Sequence, residues 1–301
     1  MKRMLFIYNP HAGQGRVTAN LSHIIDAFTY QGYLPAVYPT RAAGDATRIV
    51  EGIGKHYRKI VCCGGDGTLH EVVAALMDMD DPPVLGYIPA GTTNDFAKNL
   101  NLPRDMALAA NVAVTGPSMA CDMGRFNAAP FVYVAAFGAF TDVSYGTPQR
   151  FKNLFGHLAY VLEGIGRLGA IKSVPMTVTW EDGQVEGDFI FGMVSNTRSV
   201  GGFRGLPAKD VKLDDGKFEV VLVRQPKNAA QLNAILTAVI TQTPDPDGPV
   251  IGFHASKVEF ATGKVIPWTL DGEYGGDHRT AVVENVPQAL PLVYRERGND
   301  K

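Results

Sequence analysis

Cysteine is scarce in this 301-residue chain: there are three, Cys62, Cys63 and Cys121, and none stands in a C-x-x-C spacing. An odd count with two adjacent members does not build a disulfide framework, so a reducing cytoplasm is the expected compartment. An excess of one charge is lacking too. Lys and Arg number 28 against 30 Asp and Glu, a formal net charge of −2, so the basic footprint of a nucleic-acid binder is missing. Long hydrophobic runs are absent. The longest nearly unbroken one, Phe131 to Phe140, has half of the ~20 residues that a spanning helix needs. The apolar run from Met4 to Tyr8 is too short for a signal-peptide core and reads as a first strand. Any membrane contact is therefore expected to be peripheral. The seven histidines show no metal-ligand spacing. There is no internal repeat, low-complexity tract or Pro/Ser-rich linker. A hydrophobic content of 46% with 19% charge excludes disorder.

The length is about twice that of a typical ~150-residue domain, so two closely packed domains are expected. The first third alternates short β-like runs with segments of helical period, the pattern of parallel βα units. Strands are expected at Met4 to Tyr8, Leu34 to Tyr38, Lys59 to Cys63 and Val84 to Ile88. Helices are expected with Val17, Leu21, Ile24, Ile25 and Phe28 on one face, closed by Gly32, then around Ile49, Val50 and Ile53, and over Leu69 to Met79 and Asp95 to Leu100. Beyond residue 122 strands alternate with turn dipeptides, as in Met176 to Trp180 followed by Asp182-Gly183. The fold class is thus α/β plus β: an open α/β domain over residues 1–122 and an antiparallel β-sandwich-like domain over residues 123–289. Two helical stretches interrupt the second, Leu154 to Leu168 and Leu232 to Ile240.

Three short loops leave strand ends in the first domain. The most informative follows the third strand: Gly64-Gly65-Asp66-Gly67-Thr68, then Leu69, His70 and Glu71. Glycines let backbone N–H groups approach phosphate oxygens, and the helix that follows adds its positive end. Asp66 is placed to manage a magnesium ion. The same residues also suit a tight strand-to-helix turn with a capping Asp. Asn9-Pro10-His11-Ala12-Gly13 follows the first strand and Pro89-Ala90-Gly91-Thr92-Thr93-Asn94-Asp95 the fourth. Ligands of open α/β sheets gather at the carboxyl ends of strands, so the three loops are expected to converge. Neither a Walker A sequence nor G-x-G-x-x-G occurs there, which argues against a P-loop enzyme or a dinucleotide dehydrogenase.

Late in the chain stands Leu270-Asp271-Gly272-Glu273. If it lies in a strand, Asp271 and Glu273 project on one face. A carboxylate pair can take a hydroxyl proton and hold cations against a transferring phosphate. The other reading is a hairpin turn with solvated acids. The apolar stripe of Leu154, Leu158, Val161, Leu162, Ile165 and Leu168 lies among Arg150, Lys152, Arg167 and Lys172. It reads as core or as a surface that dips into an anionic bilayer.

Taken together, GGDGT, the NPxxG-type loop, PAGTTNDFA and LDGE resemble the diacylglycerol kinase catalytic-domain family, particularly its soluble bacterial lipid kinases. The likeness runs essentially end to end. It implies ATP as co-substrate in the first domain, with contacts at Asn9, Pro10, His11, Ala12, Gly13, Thr40, Gly65, Asp66, Gly67, Thr68, Leu69, His70, Glu71 and Thr92. Glu273 becomes the catalytic base, assisted by Asp271 and Asp66. Val211 to Phe218 is similar to a stretch that holds a structural Mg²⁺, here through Asp215 and the carbonyls of Lys212 and Lys217. A plain Asp-Gly turn is the alternative. The resemblance further implies a return of residues 290–301 to the first domain, a homodimer, and a cytoplasmic enzyme working at the membrane surface on diacylglycerol. Monoacylglycerol, ceramide, sphingoid, polyprenol and NAD acceptors, or a catalytically silent lipid or nucleotide sensor, are the rival readings.

Overall fold

A computed structural model describes residues 1–138, 172–197, 211–241, 243–245 and 247–296. The helix expected at Leu154 to Leu168, with Arg150, Lys152 and Arg167, lies outside the described residues. The chain divides into two compact units, Met1–Asp122 together with the tail from Gln288, and Met123–Pro287.

The first unit is built from β1 (Lys2–Tyr8), α1 (Arg16–Tyr30), β2 (Tyr33–Pro39), α2 (Asp45–Ile53), β3 (Lys59–Gly64), α3 (Asp66–Leu76), β4 (Val84–Pro89), α4 (Asp95–Asn99) and α5 (Met106–Thr115). Its strands run β2-β1-β3-β4, all parallel, with Leu5 opposite Ile60 and Lys59 opposite Val84. β1 and β3 are central, which is why Met4 to Ile7 and Ile60 to Cys63 are fully buried apolar runs without alternation. Helix α1 buries Val17, Ile24 and Phe28 of the expected face. Phe28 meets Phe6 edge-on at 5.1 Å between ring centroids. Helix α3 begins at Asp66, three residues before the expected start and ends at Leu76 instead of Met79. Asp66 in the first turn is favoured by the positive end of the helix, so GGDGT is part strand end and part helix. Helix α5 is apolar almost all round and carries no amphipathic stripe in the sequence. Six of its residues are buried, and Asp105 caps it by accepting the Leu108 N–H at 2.8 Å. The tail adds a further parallel pairing, Leu292 with Leu85 of β4. Tyr294 and Arg295 donate backbone bonds to Pro117 and Leu100.

The second unit draws on β5 (Ser118–Phe126), β6 (Ala129–Phe131), β7 (Val134–Gly138), β8 (Val174–Trp180), β9 (Gly183–Ser195), β10 (Phe218–Arg224), α6 (Ala229–Thr241), β11 (Val250–Ala255), β12 (Lys257–Leu270) and β13 (Glu273–Val293). The long strands β9 and β12 each pair antiparallel with both β7 and β8, so these pairings form a closed circuit. β10 and β11 extend it from β9. Trp268 is 1% exposed and packs against Phe126, Phe137 and Phe260 at centroid distances of 4.8 to 5.1 Å. Trp180 stacks on Phe253 at 4.0 Å. Among the described residues no helix is long and apolar enough to cross a membrane.

Candidate active site

The carboxyl ends of β1, β3 and β4 bring the three glycine-bearing loops together. Asn9 donates its backbone N–H to Cys63 O at 2.9 Å, and Ala90 donates to Gly64 O at 2.8 Å, so each loop leaves its strand still tied to its neighbour. The Asn9 side chain folds back to accept the His11 N–H at 2.9 Å. Gly13 takes a φ of +61°, and a Cβ there would stand 2.5 Å from Ala90 O. That close approach is open only to glycine. Pro10 and Ala12 are half-buried and His11 is exposed. Thr40, at the end of β2, is buried and donates its N–H to Tyr8 O at 2.9 Å. Of the helix α3 residues, Thr68 and Leu69 are buried, Asp66, His70 and Glu71 are half-buried, and Gly67 is exposed, as is Thr92 beyond β4.

A tyrosine that belongs to none of the sequence motifs lies under this cradle. Tyr87 is fully buried on β4, and its hydroxyl lies 3.2 Å from Gly64 O and 3.3 Å from Asn94 Oδ1. Burial, and then the charge of Asp66 nearby, push its pKa well above the ordinary tyrosine value, so the phenol stays a neutral donor. Asn94 closes a reciprocal pair with Gly91, accepting its N–H at 2.8 Å and donating to its carbonyl at 2.7 Å. A Cβ on Gly91 would stand 2.7 Å from the Gly65 Cα. The loops after β3 and β4 therefore touch backbone to backbone. Behind Asn94, Asp95 is 2% exposed and paired with Lys98 at 2.6 Å.

Glu71 reaches from α3 to the loop that follows Thr40. Its carboxylate accepts the N–H groups of Gly44 at 2.8 Å and Ala46 at 3.1 Å, and its carbonyl accepts the Thr47 hydroxyl at 3.0 Å. An acid on α3 thus caps α2 and fixes the loop that follows Thr40. Asp45 completes that loop by accepting the N–H groups of Arg41 and Ala42. Its pKa is held down to about 2, first by the hydrogen bond from Arg48 and then by these amides. The stabilisation it gives is present above the unfolded value near 3.8 and is lost as pH falls through about 2. Replacing Glu71 with Ala leaves two helix-end amides without their acceptor and is expected to destabilise the first unit by about 0.5–2 kcal/mol. Urea unfolding followed by far-UV circular dichroism checks this, and an unshifted transition would show that the cap contributes nothing.

In the second unit, Asp271 and Glu273 do not share a strand face. Leu270 pairs with Glu273, and Asp271-Gly272 form the two-residue turn between β12 and β13. Both turn residues have positive φ, +51° and +91°, as a tight I′ hairpin requires and as Asp-Gly favours. The expectation from period-two alternation fails because the strand ends one residue before the first acid. Asp271 is 7% exposed and Glu273 is exposed. The loop before β10 is also an Asp-Gly turn: Asp215 accepts the Lys217 N–H at 3.1 Å, and Gly216 has φ +74°. Asp215, Lys212 and Lys217 are all exposed. A carboxylate with two backbone carbonyls would be the all-oxygen kind of donor set that magnesium takes while retaining several waters. Among the described residues no three Asp, Glu, His or Cys side chains group into a metal site.

Comparison with known proteins places the chain in a family. Residues 3–126 match the profile of the diacylglycerol kinase catalytic domain. The diacylglycerol kinase of Bacillus subtilis (strain 168) is 34% identical over 278 residues, covering 92% of this chain and 91% of that protein. That of Staphylococcus carnosus (strain TM300) is 35% identical over 277 residues, with 91% and 90% covered. A crystal structure of a diacylglycerol kinase from Bacillus anthracis str. Sterne superimposes with a TM-score of 0.77 at 22% identity, covering 98% of this chain and 97% of that one, which shows a common fold. With more than a third of positions shared along nine-tenths of its length, this chain belongs to the diacylglycerol kinase catalytic-domain family.

Proposed function

We propose that the chain transfers the γ-phosphoryl group of ATP to the hydroxyl of diacylglycerol, giving phosphatidic acid and ADP. The observation that carries this reading is the identity to diacylglycerol kinases over nine-tenths of both chains. The first unit supports the nucleotide half. Gly13, Gly65 and Gly91 keep side chains out of the crevice, and α3 begins at Asp66 with its amide end at the same place. Thr40, the Asn9–Gly13 loop, Gly65 to His70 and Thr92 are proposed to contact ATP. Glu71 belongs to the same group through the loop it caps.

Glu273 is proposed as the group that accepts the lipid hydroxyl proton, a role for which an exposed carboxylate at a hairpin exit is suited. Asp66 is proposed to face the metal-bound phosphates. Mg²⁺, when bound, supplies charge neutralisation of the phosphates, and Asp66 is the first-unit carboxylate that would hold it. A second, structural Mg²⁺ is assigned to Asp215 with the Lys212 and Lys217 carbonyls. A cytoplasmic location, reversible contact with the membrane surface and a homodimer complete the reading, all three supported by likeness to the family.

Labelled ATP offered with diacylglycerol, monoacylglycerol, ceramide, a sphingoid base, a polyprenol and NAD in mixed micelles tests the assignment. Diacylglycerol is expected to be phosphorylated with the highest kcat/KM. Label appearing in NAD or a sphingoid base instead, with none in diacylglycerol, would overturn the acceptor.

A further inference from the structure

The acid at the tip of the β12–β13 hairpin is committed to the backbone. Asp271 Oδ2 accepts the Val132 N–H at 2.7 Å, and Oδ1 accepts those of Tyr133 at 2.9 Å and Val134 at 3.2 Å. The tie runs in both directions. The Asp271 N–H donates to Val134 O at 2.8 Å, and the Tyr133 hydroxyl lies 3.4 Å from the Asp271 carbonyl. Three successive amides converging on one buried carboxylate form a charge-assisted set. Three of the roughly four lone-pair sites of a carboxylate are thus taken by amides that are themselves buried, since Val132, Tyr133 and Val134 are each at most 6% exposed. Leaving such groups unbonded is costly.

We propose that Asp271 is a positioning residue: its carboxylate grips the Val132–Val134 backbone and thereby fixes the direction in which Glu273 leaves the turn. This rests on the reading of Glu273 as proton acceptor. The geometry gives the reason. Glu273 follows Asp271 by two residues, on the far side of a turn whose positive φ values are held by that grip. Letting the tip move displaces the Glu273 carboxylate, and a misplacement of about 1 Å can cost about 10²-fold in rate.

The test compares wild type, Asp271→Asn, Glu273→Gln and the double variant in the complete chain, with diacylglycerol micelles, ATP and varied Mg²⁺. Asp271→Asn should lower kcat by about 10²-fold, leave the KM for ATP and the half-saturating Mg²⁺ concentration unchanged, and add nothing in the Glu273→Gln background. A raised Mg²⁺ requirement, or losses that multiply in the double variant, would overturn the proposal by giving Asp271 a direct role. A slow Glu273→Gln beside a wild-type rate for Asp271→Asn overturns the positioning role alone, whereas Glu273→Gln at the wild-type rate removes the proton-acceptor reading and this role with it. Should Asp271→Asn not fold, the wild-type amides decide. Those of Val132, Tyr133 and Val134 should exchange slowly and keep their chemical shifts through a Mg²⁺ titration. Rapid exchange, or shifts that follow the metal, would overturn the assignment.

Discussion

Glu273→Gln is expected to lower kcat by about 10²- to 10⁴-fold, the range a positioned general base contributes. Glutamine keeps the length and shape of the side chain but cannot take up the lipid hydroxyl proton, so the loss falls on the chemical step. The KM for ATP is expected to stay near the wild-type value, because the loops proposed to hold the nucleotide lie wholly in the first unit, in residues 9–13, 40, 65–71 and 92. A residue lost from both kcat and kcat/KM in equal measure is one whose contribution arises in the transition state. Steady-state rates with saturating diacylglycerol check this. The side chain is exposed, so no folding loss is expected to obscure the result, and near-normal turnover would place the proton acceptor elsewhere.

Asp66→Asn is expected to reduce transfer by about 10²- to 10³-fold, the scale on which an electrostatic group facing developing charge acts. The residue stands in the first turn of α3, after Gly65 and before the buried Thr68 and Leu69. Asparagine preserves the turn and the side-chain volume while removing the charge that the metal-bound phosphates would meet. Circular dichroism should show an unchanged helix content. The loss should appear with a raised Mg²⁺ requirement, the signature that separates this carboxylate from Glu273. Turnover equal to wild type at saturating Mg²⁺ would dismiss the nucleotide-site assignment.

How far these residues were legible in advance varied with the kind of signal. The strands of the first unit declared themselves because buried parallel strands are short apolar runs between turns, and Lys59 to Cys63 could hardly be anything else. Helix α1 was visible through Val17, Ile24 and Phe28 at helical spacing. Helix α5 was not, because Met106 to Thr115 is apolar almost all round and shows no stripe, although the Asp105 cap three residues before Leu108 was a usable sign. The glycine loops could be assigned to strand ends from order alone. What joins them could not, since Tyr87, Gly64, Gly91 and Asn94 meet only through the lateral pairing of β3 with β4. Glu71 illustrates the same limit: its partners, Gly44 and Ala46, are distant in sequence and are reached through their backbones, which carry no side-chain signature. At LDGE, alternation suggested one face for two acids, and the hairpin preference of Asp-Gly was the better guide.

The placement of the indole rings has a spectroscopic consequence. The chain has two tryptophans, Trp180 and Trp268, and both fall within Met123–Pro287. Trp268 is sealed among Phe126, Phe137 and Phe260, while Trp180 is half-buried against Phe253. Intrinsic emission excited at the indole band therefore reports the β-rich unit alone, with a blue-shifted component from Trp268 that moves to the red when that core opens. The first unit, which has no indole, is silent in the same experiment.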